Sequence, residues 1–114
     1  MASKEDKLQF ECYRWFHNHH IKHIGLLFSV PNGGYRNPRE AMKLKLTGVV
    51  KGVSDLIFLW QGNTYFLELK TLTGRQGTAQ KEWQEKVEKH KFKYYIIRDL
   101  KTFKKIINKI ISNE

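Results

Sequence analysis

Two carboxylates and an ammonium stand where strand residues are expected to be apolar. Leu56 to Trp60 and Thr64 to Leu69 are runs of aromatic and aliphatic side chains joined by Gln61, Gly62 and Asn63. Such runs around a Gly-Asn turn predict an antiparallel hairpin. With Gly62-Asn63 as a two-residue loop, Trp60 faces Tyr65, Phe58 faces Leu67, Leu56 faces Leu69, Ile57 faces Glu68 and Asp55 faces Lys70. Side chains alternate between the faces of a sheet, so Leu56, Phe58, Trp60, Tyr65, Leu67 and Leu69 form a core face while Asp55, Ile57, Glu68 and Lys70 share the other. A loop one residue longer would set Asp55 against Leu69 and mix charge into the apolar face, so the charges favour the even loop.

Hard divalent cations such as magnesium are held by a few carboxylate oxygens plus water and substrate phosphate. Asp55 and Glu68 are of the type to hold such an ion, which would acidify a water and neutralise charge developing on a phosphate. Lys70, one alternation beyond Glu68, would orient that water or contact the phosphate. The alternative is a cross-strand Asp55–Lys70 ion pair with Glu68 on a solvated sheet face. That alternative leaves Glu11 and the basic surroundings unexplained.

The elements that must position this patch are legible in hydrophobic periodicity. Leu8, Cys12, Trp15, Phe16 and His19 recur at helical spacing from Lys4 to about His20, with Ser3 as N-cap and Glu5 and Asp6 in the first turn. Glu11 falls at the edge of that stripe, where a half-buried carboxylate needs a partner. Leu26 to Val30 reads as a short buried strand that Pro31, Asn32, Gly33 and Gly34 end. Asn37 and Pro38 open a short helix carrying Arg39, Lys43 and Lys45 outward. After the hairpin comes a polar loop, Thr71 to Gly77, then a helix to about His90 with Ala79, Trp83 and Val87 inward. Phe92 to Ile97 is a further strand, and Leu100, Phe103, Ile107 and Ile110 define a last amphipathic helix whose outer face carries Lys101, Lys104, Lys105 and Lys109. The order αβαββαβα predicts an α/β single domain over residues 1–114, with a mixed central sheet flanked by helices.

Lys and Arg outnumber Asp and Glu 21 to 11, for a net charge of +10 in 114 residues, which suits a polyanionic partner better than a neutral metabolite. One cysteine, Cys12, excludes an internal disulfide, and the amino-terminal residues form no apolar run. A soluble, intracellular, cytoplasmic protein is expected, with no membrane partner and no small-molecule cofactor. His19 and His23, four apart beside His17 and His20, have the spacing of zinc ligands on a helix, but nothing nearby completes the set, and added positive charge below neutral pH is the favoured reading.

Gly52-Val-Ser-Asp55, followed after twelve intervening residues by Glu68-Leu-Lys70, resembles the G-V-x-D and E-x-K signature of the PD-(D/E)XK nuclease superfamily. With Pro31 to Gly34 upstream, Glu11 on the first helix and Gln80 downstream, the chain resembles more narrowly the VRR-NUC family. Gly77 stands where such sequences often carry serine, three residues before the glutamine. The resemblance implies a restriction-endonuclease-like fold and a deoxyribonuclease that hydrolyses phosphodiesters with magnesium or manganese. It implies Asp55, Glu68, Glu11 and the backbone carbonyl of Leu69 as metal ligands, Lys70 as the water-positioning residue, and Gln80 as a supporting polar residue. The residues themselves leave Glu11 open as a solvated helix-edge carboxylate and Gln80 open as an N3 residue bonded to the start of its helix. Small stand-alone relatives are typically homodimers acting on branched DNA, so a four-way junction is the implied substrate. Asn32, Gly33, Arg36 and Arg39 would present backbone N–H groups and guanidiniums to phosphates, joined by Lys51 and Arg75. The alternative function is a non-catalytic nucleic-acid-binding module retaining the nuclease fold. It must explain carboxylates that repel phosphate when no metal is present.

Overall fold

Ser3 starts the first helix, α1 (Lys4–His19), through a reciprocal cap: its hydroxyl accepts the Asp6 N–H at 3.0 Å and the Asp6 carboxylate accepts the Ser3 N–H at 3.2 Å. The chain, a computed structural model described here for residues 3–31 and 37–113, continues through a 3-10 turn (Ile21–His23) into a short strand, β1 (Leu27–Ser29). Asn37 caps α2 (Pro38–Leu46) by accepting the Glu40 N–H at 2.8 Å, with Pro38 in the first turn. Then come β2 (Leu56–Trp60), β3 (Asn63–Leu69), α3 (Thr78–Lys89), β4 (Lys93–Ile97) and α4 (Leu100–Ser112). This is the expected αβαββαβα order.

The four strands lie in the order β1-β2-β3-β4. The first three pair antiparallel and β4 joins β3 in parallel, so the sheet is mixed. Parallel pairing requires a crossover, and α3 supplies it. One sheet face is closed by α1 and α4: Leu56, Phe58, Leu67 and Leu69 pack with Cys12, Phe16, Phe103 and Ile107, all buried. Burial, with the Glu11 and Asp99 charges adding, pushes the Cys12 thiol up to about 12, which makes it a core residue rather than a nucleophile. The opposite face carries a smaller cluster of Phe66, Val87 and Tyr94, with Ile57, Trp83 and Ile96 against it. By contrast α2 buries none of its residues, and Met42 and Leu46 are exposed.

The hairpin register differs from the expected one by two residues. The turn is Gln61-Gly62, with φ of 50° and 80°, and the pairs are Leu56↔Leu67, Ile57↔Phe66, Phe58↔Tyr65, Leu59↔Thr64 and Trp60↔Asn63. Positive φ at both central residues is the geometry that matches strand twist, and here glutamine accepts it so that Asn63 can begin the strand. An even slip preserves the faces. It changes the neighbours: extended by one, the register sets Asp55 against Glu68, not against Lys70. Among the described residues, no helix is long and apolar enough to cross a membrane.

Candidate metal centre

Gly52 fixes where the Asp55 segment begins. Its φ is +82°, and a Cβ there would lie 2.3 Å from the Ala79 carbonyl oxygen, so only glycine lets this turn press against the first turn of α3. The Val30 N–H then donates to the Asp55 carbonyl oxygen at 2.9 Å, tying the segment to β1. The Asp55 carboxylate turns toward the end of β3, where Oδ2 accepts the Leu69 N–H at 2.7 Å. Burial pushes the Asp55 carboxyl above its usual range and the Glu68 and Glu5 charges add to that, while the Leu69 bond and the Lys70 ammonium oppose it.

Glu68 sits on the same face and is wholly buried, at 0% exposure. Its Oε1 accepts the Tyr94 hydroxyl and, at 3.0 Å, the Gln76 Nε2. Gln76 Nε2 also donates to Gln84 Oε1 at 2.9 Å, which links the loop before α3 to that helix. Burial, then the bond to Glu68 and its charge, hold the Tyr94 phenol well above its usual range, so the hydroxyl keeps its proton and donates. Among the described residues Glu68 Oε2 has no hydrogen-bond partner, and Lys70 Nζ, itself buried, lies 3.8 Å from it. The solvated-face alternative for Glu68 is therefore overturned, because water does not reach this carboxylate. Among the described residues, two carboxylates thus share a desolvated patch with the Lys70 ammonium, and Glu68 Oε2 is unserved. That arrangement fits a divalent cation, for which one or two carboxylates completed by water and phosphate suffice. Among the described residues no group of three or more His, Cys, Asp or Glu is placed to hold a metal, so the protein offers an open pair here and no closed cage.

The remaining expected residues fall in different places. Glu11 is exposed, and the α1 carboxylate whose charge acts on Asp55 is the half-buried Glu5. Six residues along a helix is about one and two-thirds turns, so Glu5 and Glu11 point roughly 120° apart. Gln80 Oε1 accepts the Gly77 N–H at 2.8 Å, the N3 bond that starts α3, and it is Gln76 that reaches Glu68. The Leu69 side chain is core, and its backbone borders the site through the bond to Asp55. Arg39, Lys51 and Arg75 are exposed, whereas Asn32, Gly33 and Arg36 lie outside the described residues. Three of the histidines pack against aromatic rings: His19 stacks on Trp15, His20 lies tilted against Phe16, and His23 meets Trp60 edge to face.

Gln76, Gln84 and Tyr94 were not singled out by the sequence. The usable signal was parity: in the parallel register Glu68 lies beside Ile96, so Tyr94, two residues back, shares its face while Tyr95 takes the other. A buried carboxylate needs donors, and Tyr94 is the hydroxyl that β4 can offer.

Among solved structures, the fold matches a "VRR_NUC domain protein" with a TM-score of 0.79 at 23% sequence identity, over 98% of this chain and 91% of that one. No protein-family model matches the sequence. No curated protein matches it. The shared fold carries the likeness: this is a VRR-NUC-like α/β domain.

Proposed function

We propose that this VRR-NUC-like domain is a divalent-metal-dependent DNA endonuclease that hydrolyses phosphodiester bonds, selective for branched DNA such as four-way junctions and active as a homodimer. The observation that carries the reading is Glu68, a fully buried carboxylate with one unserved oxygen beside Asp55 and Lys70. Stability alone favours an apolar residue there, since burying a carboxylate costs several kcal/mol that an ion pair at 3.8 Å recovers poorly.

In this reading Asp55 and Glu68 hold magnesium or manganese, with Glu5 adding negative charge from α1 and the Leu69 carbonyl as a further oxygen. A bound divalent ion supplies positive charge against the phosphate and makes water more acidic at neutral pH. The chain's own residues do the rest. The Leu69 N–H holds Asp55 in place, and Lys70, confined by burial, orients water or grips a phosphate oxygen. Gln80 acts through the start of α3, keeping that helix seated on Gly52. The exposed Arg39, Lys51 and Arg75 bind backbone phosphates, joined by Asn32, Gly33 and Arg36, in a chain of net charge +10. The exposed Met42 and Leu46 of α2 suit a homodimer contact, and a two-fold dimer offers two sites to two strands.

The test is incubation of labelled linear, flap and four-way-junction DNA with magnesium or manganese, beside Asp55→Ala. Metal-dependent cleavage by the wild type, reduced by roughly 10³-fold or more in a variant that still binds DNA, is expected. A wild type that binds without cutting, or a variant that cuts equally well, contradicts the proposal.

A further inference from the structure

We propose that Tyr94 and Gln76 are positioning residues for the metal centre: together they saturate Glu68 Oε1 and fix the carboxylate plane so that Oε2 is the oxygen presented to a cation. This role rests on the metal-centre reading above and gives it a support that neither residue's place in the sequence announced.

The support lies in an asymmetry. A buried carboxylate can accept about four hydrogen bonds, and were the surrounding donors present only to offset desolvation they would be shared between its oxygens. Instead the Tyr94 hydroxyl and the Gln76 amide both converge on Oε1, and among the described residues Oε2 receives none. Two donors from different elements hold one oxygen against rotation of the carboxylate, which a single donor would allow. Each donor is itself held. Tyr94 is packed in the cluster with Phe66 and Val87. Gln76 is tied to Gln84 of α3, and the loop leading to it is strapped by Arg98, whose Nη1 donates to the carbonyls of Thr71 at 2.6 Å and Gly74 at 2.8 Å. Partners of this kind orient a ligand without touching the ion, and their loss typically weakens metal binding or activity by about 10- to 100-fold.

The experiment is calorimetric titration of the metal-free protein with Mn2+, for the wild type, Tyr94→Phe, Gln76→Ala and Val87→Ala. The phenylalanine keeps the ring in its cluster, and Gln76→Ala trims a loop residue, so the two variants disturb packing differently. The expected result is roughly 10-fold weaker Mn2+ binding in Tyr94→Phe and in Gln76→Ala. In cleavage assays, kcat falls in both while KM for DNA stays as in the wild type. Val87→Ala, which loosens the packing around Tyr94 but keeps its hydroxyl and the Gln76 amide, lowers the thermal midpoint and weakens Mn2+ binding clearly less than Tyr94→Phe does. If the wild type binds Mn2+ and cuts, and both variants match it, the positioning role is wrong and the nuclease reading stands. If Val87→Ala weakens Mn2+ binding as much as Tyr94→Phe does, the effect is one of packing and the role is likewise overturned. A wild type that neither binds Mn2+ nor cuts removes both.

Discussion

Leu67 and Glu68 are consecutive residues of β3 with the same exposure, 0%, and opposite physical consequences. Leu67 points into the face closed by α1 and α4, where full burial of a leucine stabilises by roughly 1.5–3 kcal/mol. Glu68 points into the α3 face, where burying a carboxylate costs several kcal/mol unless partners offset it. Two hydrogen-bond donors, Tyr94 and Gln76, and the nearby Lys70 ammonium are spent on one side chain. The difference teaches that the two faces of one hairpin are under separate demands. One holds the domain together, and the other holds an arrangement that folding alone does not favour.

Exchanging the insult between the faces should break the comparison if it is wrong. Glu68→Gln keeps the shape, and its cleavage rate is expected to fall by roughly 10³-fold or more while the chain still folds. Leu67→Ala should do the reverse, costing about 2–5 kcal/mol in denaturant unfolding and leaving the rate per folded molecule near that of the wild type. A Glu68→Gln protein that cuts normally, or a Leu67→Ala protein that is stable but inactive, would erase the distinction between the faces.

Gly52 sharpens it further, since this residue belongs to neither face and sets the distance between Asp55 and α3. Gly52→Ala combines positive φ with a contact that backbone must yield to, so a loss of about 1–2 kcal/mol or more is expected, together with reduced cleavage. Circular-dichroism melts and the junction assay would read the two effects separately.

The smallest effect concerns pH. The folded-state pKa of Asp55 is raised, so the folded protein keeps that proton at pH values where the unfolded chain has released it. Its contribution is fully favourable below the ordinary carboxylate pKa and is lost as pH rises from there through the raised value. Asp55→Asn should therefore be more stable than the metal-free wild type above that window, with the two curves converging below it. Urea unfolding from acid to neutral pH, without divalent ions, measures this; a gap that widens toward acid would contradict it.

Much of this was legible in the chain. The α/β order, the caps at Ser3 and Asn37, and the placing of Asp55, Glu68 and Lys70 on one face all follow from periodicity and parity, which are local properties. The register was not, because Gly62-Asn63 and Gln61-Gly62 are both two-residue turns and an even slip leaves every face unchanged. Nor was the support of Glu68. Tyr94 lies 26 residues away, and their meeting depends on how β4 docks beside β3, which no spacing specifies. On α1, Glu5 read as a helix-dipole partner because sequence shows which carboxylates share a stripe but not which end of the helix approaches the sheet. Gln80 Oε1 accepts the Gly77 N–H at 2.8 Å, the bond that its N3 position in the sequence allowed.

In the proposed function Asp55 and Glu68 hold a divalent cation through Glu68 Oε2, which no described residue hydrogen-bonds. A crystal soaked in Mn2+ tests it most directly, by anomalous scattering. A peak is expected between Asp55 and Glu68 Oε2, with Oε1 still bonded to Tyr94 and Gln76. No peak there at high Mn2+ concentration, or an ion bound with Glu68 pointing elsewhere, would contradict it.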